Sequence, residues 1–343
     1  MKHSLWAAPF ALVSAGCGGL MSSPVDDNLA GSGGTPIVDA AIEAATPPTP
    51  TTRMPLKLQG LALAQDATSL YVSTHSDDTA ASPYGELWKV AKGTFAATRL
   101  SDSVDNATAL AVAGGLVAWT GDNGISVWFG GTIGIRTVAP GSAANSGIVT
   151  DGAAFYAAVP EINASDALRI PIADLSSTSA PSFGVINASW TYAALAISGA
   201  NLVGAAAIAD GAEVQMIPTS GALIAPSLGI PMLYGSAPIP NGLAADDDTI
   251  FLLSGNIVAK VANITTPKSA LYFASRTLTS LAIDARSVYV TEQGAHGRVL
   301  AVSRTDGSAR VLAGDEASPH SILVDDTQVY WLADGALRGA AKE

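Results

Sequence analysis

The chain has 343 residues, of which 48% are hydrophobic and 13% charged, and its formal net charge at pH 7 is −12. This length and apolar content suffice for one large or two ordinary domains, and the low charge argues against a wholly disordered protein. An acidic surface repels phosphate groups, so we expect no nucleic-acid partner.

Residues 1–17 have the layout of a secretory signal peptide. Lys2 precedes an apolar stretch, Leu5 to Val13, that is too short to span a bilayer. The sequence SAGC, ending at Cys17, resembles the processing box of bacterial lipoproteins, although Ser14 stands where Leu is usual. This resemblance implies that Cys17 is acylated and becomes the new N-terminus. The alternative is a secreted or periplasmic protein without a lipid anchor.

Residues 18–51 are rich in Pro, Gly, Ser and Thr and show no sustained apolar period. This composition predicts a flexible linker that holds a folded domain away from a membrane. Several acyl chains anchor a protein more stably than one does, so Cys17 would be the membrane attachment. We therefore expect a monomer held at the outer membrane or the cell surface.

One nine-residue pattern recurs through the rest of the chain. In its last copy, ILVDDTQVY, an apolar run meets a turn containing Asp and a second apolar run follows. Asp occupies the fourth position in five of the seven copies, where a short carboxylate bonds to nearby backbone N–H groups, and Ala113 and Ser198 replace it in the second and fourth copies. The copies begin at Leu63, Leu110, Ile148, Leu195, Leu243, Leu281 and Ile322.

The spacing of these copies predicts the fold. Successive copies are 47, 38, 47, 48, 38 and 41 residues apart. Segments such as GELWKVA and SARVLAG add a third and a fourth strand to the two that the pattern supplies. Four strands in about forty residues are typical of a β-propeller blade. We predict an all-β, seven-bladed β-propeller over residues 52–343, with six or eight blades as the alternatives.

The stretch from Tyr192 to Ala209 has 18 uncharged residues and would also be long enough for a transmembrane helix. It contains a Ser-Gly-Ala-Asn turn at the position where the repeat expects one. We therefore predict two strands here and not a membrane span.

The last copy supplies only three strands before the chain ends at Glu343. The segment TRMPLKLQ (Thr52 to Gln59) precedes the first copy and has no partner there. We predict that it pairs with GALRGAA, residues 335–341, because an open ring would leave unpaired strand edges.

Three known types of propeller resemble these repeats. VYWLADG is similar to YWTD repeats through Tyr330, Trp331 and Asp334, and the apolar strand, Asp turn and YV or YW order resembles NHL repeats. VTEQGAHGRV is similar to the blades of virginiamycin B lyase, itself a seven-bladed propeller. The count of seven favours the lyase-like or a generic propeller, because YWTD and NHL propellers generally have six blades.

Ligands of propellers bind where the blades converge, so the residue two positions before each copy should lie at the mouth of the central channel. These neutral hydrogen-bonding side chains could bind a polar ligand. The alternative is that they only form hydrogen bonds with backbone groups around a water-filled channel. The candidate ligand-binding residues are Thr108, Ser146, Asn241, Thr279 and His320.

Glu292 and His296 in the lyase-like stretch are candidate catalytic residues. The resemblance implies that Glu292 holds Mg²⁺ and that His296 is a general base for an elimination. However, a hard divalent ion requires several oxygen ligands, and the matching loops offer few. Our first hypothesis is therefore a scaffold without cofactor or catalysis that binds a protein, a glycan or a small molecule. The alternative is a lyase or lactonase dependent on Mg²⁺ or Ca²⁺.

Overall fold

The structure is a computed structural model, and all the residues that it describes belong to the unit Pro36–Glu343. The predicted signal peptide, Cys17, the linker up to residue 50 and Ser146 lie outside the described residues. The described ranges are 51–56, 59–75, 84–130, 134–140, 147–161, 164–175, 182–185, 192–208, 211–220, 227–231, 240–247, 249–262 and 269–342.

The described chain is built from strands, with one 3-10 turn at Ile172–Asp174. Strands β1 to β13 are β1 (Thr51–Pro55), β2 (Gln59–Gln65), β3 (Ser69–His75), β4 (Gly85–Ala91), β5 (Ala97–Val104), β6 (Ala109–Ala113), β7 (Leu116–Gly121), β8 (Gly124–Trp128), β9 (Ile135–Pro140), β10 (Ile148–Thr150), β11 (Ala154–Glu161), β12 (Ala164–Pro171) and β13 (Ser182–Val185). The remaining strands are β14 (Tyr192–Ser198), β15 (Asn201–Ile208), β16 (Gly211–Pro218), β17 (Ser227–Pro231), β18 (Pro240–Ala245), β19 (Thr249–Ser254), β20 (Ile257–Ala262), β21 (Ser269–Phe273), β22 (Leu278–Ile283), β23 (Ser287–Glu292), β24 (Gly297–Ser303), β25 (Ala309–Glu316), β26 (His320–Val324), β27 (Gln328–Ala333) and β28 (Ala336–Ala341).

The strands form seven four-stranded sheets, and in six of them the four strands follow one another along the chain. Blade one is β2 to β5, and blades two to six each take the next four strands, here called A to D; blade seven consists of β26, β27, β28 and β1. The A strands contact one another around a complete circle, from β2 through β6, β10, β14, β18, β22 and β26 back to β2. The predicted seven-bladed β-propeller is therefore confirmed.

The seventh blade takes its outermost strand from the other end of the chain. Strand β1 pairs antiparallel with β28, and Thr52 lies opposite Arg338. The predicted closure is confirmed, although the closing strand covers residues 51–55, because Gln59 already belongs to β2. The closure gives the last blade its fourth strand, so β28 has no open edge.

Apolar clusters lie between neighbouring blades, and each of the seven described clusters joins two of them. Between blades six and seven, Tyr289 and Val299 pack with Val329 and Trp331, and all four are buried. A blade that is covered on both sides needs apolar residues at successive strand positions, which explains the run VYWL.

The two copies without Asp form complete four-stranded blades. In blade two, Gly114 and Gly115 make the turn with φ angles of 59° and 78°, a region that glycine adopts without strain. In blade four, the Ser198 hydroxyl donates to the carbonyl oxygen of Asp246 in blade five, at 2.6 Å.

The stretch that resembled a membrane span is β14, a turn and β15, as predicted. No helix in the described part of the chain is long and apolar enough to cross a membrane.

Strand direction alternates within each blade, so the connections fall on two faces of the ring. The A–B and C–D turns lie on one face, called here the AB face. The B–C turns and the links from strand D to the next blade lie on the other, called the BC face.

The Asp residues of the A–B turns accept hydrogen bonds from their own blade. The Oδ1 atom of Asp284 accepts the backbone N–H groups of Arg286 and Ser287, each at 2.8 Å, and its Oδ2 atom accepts the Tyr289 hydroxyl at 2.8 Å. The same Asp-to-Tyr bond occurs in blades one, three and seven at 2.9, 2.7 and 3.2 Å. The repeated Asp and Tyr are therefore parts of one turn-stabilising unit.

Three of these turns also bind a cation from the next blade around the ring. In each case the cation is the first residue after strand C, so the ion pair joins two blades on the AB face. The pairs are Lys92–Asp325 (3.5 Å), Lys342–Asp284 (2.5 Å) and Arg304–Asp246.

We expect Asp284→Asn to lower the unfolding midpoint at pH 7 by a few degrees. Burial alone would raise the pKa of Asp284, but the bonds from Lys342, the backbone and Tyr289 outweigh it and lower the pKa to about 2. A lowered pKa stabilises the fold above the unfolded-state value near 3.8, and this contribution disappears as the pH falls toward 2.

Thermal unfolding of both proteins at a series of pH values tests this expectation. The advantage of the unaltered protein should shrink between pH 4 and pH 2. Asp326→Asn is the control, because Asp326 is an exposed carboxylate in an A–B turn. A difference that is the same at every pH would contradict the assignment.

Candidate functional site

The predicted ligand-binding residues lie where strand A begins on the BC face, and three of them bond to the next blade. Asn241 Nδ2 donates to the Leu278 carbonyl at 2.8 Å, and Thr279 Oγ1 donates to the Pro319 carbonyl at 2.7 Å. The His320 Nε2 atom lies 3.0 Å from the Gly60 carbonyl oxygen. These three bonds follow the ring from blade five to blade one.

This arrangement gives Asn241, Thr279 and His320 a role in joining blades. The backbone N–H of Thr108 donates to Thr120 in its own blade at 3.1 Å. His320 has both ring nitrogens 3.0 Å from carbonyl oxygens, those of Gly60 and Ser318. Ligand binding by these residues stays a prediction, and Ser146 lies outside the described residues.

The two candidate catalytic residues have separate partners. Glu292 is completely buried at the end of β23, and its Oε2 atom lies 2.5 Å from Arg298 Nε. His296, in the following turn, is exposed and has Nδ1 2.6 Å from Asp315 Oδ1. Among the described residues, no group of three or more His, Cys, Asp or Glu is arranged to hold a metal ion.

A cluster of charged residues lies on the BC face at the seam between blades six and seven. We call it the seam cluster, and it consists of Asp315, Glu316, Asp334 and Arg338. Arg338 lies 3.3 Å from Glu316 and 3.9 Å from Asp334, measured from its guanidinium nitrogens to carboxylate oxygens. The sequence pattern gave no sign of this cluster, because its members come from the end of a D strand, a B–C turn and a C strand.

Glu316 is the buried member of the seam cluster, with 1% of its surface exposed. Its Oε2 atom accepts the indole N–H of Trp331 at 3.1 Å, while its Oε1 atom has no hydrogen-bond partner. Burial raises the pKa of Glu316, and the charges of Asp334 and Asp315 add to this, although Trp331 and Arg338 oppose it.

A second acid–tryptophan pair occurs between blades one and two. Asp105, just after strand D of blade one, accepts the indole N–H of Trp119 at 2.9 Å and the backbone N–H of Asn123 at 2.9 Å. Both Trp residues occupy the same position of the repeat, directly after its ninth residue. That shared position was the only sequence signal that pointed to these seams.

Backbone strain concentrates beside the seam cluster. Six described residues other than glycine have positive φ, and four of them lie between residues 315 and 334. Such conformations are costly for side-chain-bearing residues and are frequent at functional sites. The four are Asp315 (60°), Ser318 (49°), Ser321 (51°) and Asp334 (47°).

Gly297 shows how tightly the chain is packed next to this cluster. A Cβ atom on Gly297 would lie 2.4 Å from the Glu292 carbonyl oxygen and 2.8 Å from the Glu316 carbonyl oxygen. Only glycine fits where the third strand of blade six starts. The close approach holds the B–C turn of blade six against the link to blade seven.

The structure is similar to solved β-propellers. The β-propeller domain of Cps50 (Swd1) from Myceliophteria thermophila has a TM-score of 0.61 and 13% identity, covering 84% of this chain and 100% of that one. The WD40 β-propeller domain of Doa1 has a TM-score of 0.60 and 12% identity, covering 85% and 98%.

PorZ, a bacterial surface component of the type-IX secretion system of Porphyromonas gingivalis, has a TM-score of 0.59 and 13% identity, covering 86% of this chain and 38% of that one. At these identities the similarity establishes the fold alone, and a YWTD, NHL or lyase type stays a prediction. No protein-family model matches the sequence, and the comparison with curated proteins gave no match either.

We expect Glu316→Gln to change how stability depends on pH. The raised pKa of Glu316 means that its carboxyl group favours the folded state below about pH 4.5 and that this contribution is lost as the pH rises through the folded-state pKa. Gln keeps an acceptor oxygen for Trp331 and does not ionise.

The unfolding midpoint of the unaltered protein should therefore fall relative to that of the Gln variant between pH 4.5 and pH 7. Thermal unfolding at a series of pH values measures both, and near-ultraviolet circular dichroism checks that Trp331 keeps its environment. Curves that stay parallel over this range would contradict the effect of burial.

Proposed function

We propose that this protein is a lipid-anchored propeller of the bacterial cell envelope that binds a ligand or protein partner without catalysis. The binding surface is the BC face around the seam between blades six and seven. Propellers of known surface and extracellular proteins share its fold, as PorZ and an extracellular domain from B. thetaiotaomicron illustrate.

The observation that carries this proposal is a pair of buried carboxylate oxygens that lack a donor, Oε1 of Glu316 and Oε1 of Glu292. Buried polar groups in folded proteins almost always have partners, so an exception requires a reason, such as a binding role. The Glu316 oxygen lies beside a run of strained backbone and two exposed carboxylates, those of Asp315 and Asp334. On the AB face, by contrast, the fourth-position Asp residues bond to their own turns and, in three blades, to a cation of the next blade.

The alternative is a propeller lyase or lactonase, and one observation favours it. Asp315 is placed to orient His296, as a general base requires. The metal that such an enzyme needs would have to find ligands beyond Glu292, which Arg298 already pairs.

A thermal-unfolding survey of the whole protein distinguishes the two functions. A scaffold should respond to a peptide or an oligosaccharide and not to Mg²⁺, Ca²⁺ or EDTA. A ligand at about 100 times its Kd adds about 2.7 kcal/mol, which raises the midpoint by a few degrees.

Two matched variants locate the binding surface. Ala295→Trp places a bulky side chain on the B–C turn of blade six and should abolish the ligand-induced shift. Thr305→Trp alters an exposed residue on the opposite face of the same blade and should preserve it. A shift with Mg²⁺ that Glu292→Gln removes would instead support the enzyme.

For the anchor, we expect Cys17→Ser to move the protein from the membrane fraction to the soluble fraction. Ser has no thiol to acylate, so the acyl chains that would hold the protein at the membrane cannot be attached. Ser14→Leu, which strengthens the processing box, should leave the protein in the membrane. A Cys17→Ser protein that remains there would overturn lipid anchoring.

A further inference from the structure

The seam cluster carries more negative than positive groups. Its members are three carboxyl groups, those of Asp315, Glu316 and Asp334, and one guanidinium, that of Arg338, which contacts Glu316 and Asp334. The formal charge of the whole chain is −12. A partner with positive charge is therefore favoured electrostatically over a neutral or negative one.

Two of these carboxylates remain open to solvent. The Asp315 side chain is 84% exposed and contacts His296, which is itself 79% exposed. The Asp334 side chain is 70% exposed, and its contact with Arg338 is long at 3.9 Å. Ion pairs this exposed contribute little to stability, so their oxygens are available to an incoming donor.

The buried carboxylate supplies an independent indication. Glu316 Oε1 is shielded from solvent and accepts no hydrogen bond, although Oε2 of the same group accepts the Trp331 indole. An acceptor without a donor destabilises the free protein. A bound group with several N–H donors removes that cost, either directly or by redistributing the bonds of Arg338.

We propose that the seam cluster is the docking site for a basic segment of a partner protein, whose Lys or Arg side chains bond to Asp315 and Asp334. An ammonium or guanidinium group carries several donors, so it can bridge neighbouring carboxylates. This inference rests on the proposed binding function of the BC face and specifies the chemistry of its partner.

The test measures binding of a fluorescein-labelled Lys/Arg-rich peptide to the full chain by fluorescence anisotropy. The double variant Asp315→Asn, Asp334→Asn removes two charges from the seam cluster. Both residues have positive φ, which Asn tolerates well, so the fold should persist. We expect binding to weaken about tenfold, as the loss of two such contacts predicts.

The control is Asp247→Asn with Asp326→Asn, which removes the same charge from exposed A–B turns of the AB face. It should weaken binding less than twofold, because general attraction to an acidic protein is screened by salt. Equal weakening by both double variants would overturn the proposal, since the peptide would then respond only to net charge.

Two further outcomes separate this inference from the proposed function. In the first, a neutral oligosaccharide binds, Ala295→Trp abolishes that binding, and the peptide does not bind. This result would support the BC face as the binding surface but overturn the proposal that its partner is basic. In the second, spermine at an equal concentration of positive charge displaces the peptide. This result would overturn the proposal of a protein segment as the partner and indicate a small cation instead. Failure of the peptide and of every oligosaccharide to bind would overturn both proposals.

Discussion

Each blade of this ring buries both of its faces against a neighbour, and the described apolar clusters all lie between blades. A blade alone would expose two apolar surfaces, so the ring is stable only when it is complete. The pairing of β1 with β28 supplies its last strand. The apolar core is therefore divided among the seams between neighbouring blades.

The two faces of the ring use their polar residues differently. On the AB face, Asp and Tyr recur with the repeat, and cations such as Lys342 bind the turn of the preceding blade. On the BC face the connections vary from blade to blade, so polar groups such as Glu316 and His296 do not recur in all seven blades. Repetition stabilises the first face, and variation on the second leaves room for function.

The sequence predicted the fold because the repeat is local. Strands A and B and the Asp turn lie within nine residues, so their period is visible without knowing which strands pair. It did not predict the bond from Thr279 to Pro319 or that from Trp331 to Glu316, which join residues of different blades. Such bonds depend on how neighbouring blades pack, and a single copy of the pattern does not show which residues of the next blade it will contact.

The same limit explains the outcome for Glu292. The resemblance to a lyase blade implied that Glu292 holds Mg²⁺, which stays a prediction, but it gave no sign that the register of β23 against β24 places Glu292 opposite Arg298 in a buried pair. Meanwhile Arg338 lies between Trp331 of β27 and Thr52 of the closing strand. The guanidinium that Glu316 and Asp334 share therefore belongs to the strand that β1 covers. A ligand that neutralises those carboxylates would therefore bind next to β28, the strand that pairs with the closing strand β1. If the ligand binds only the closed ring, its binding stabilises the closed ring.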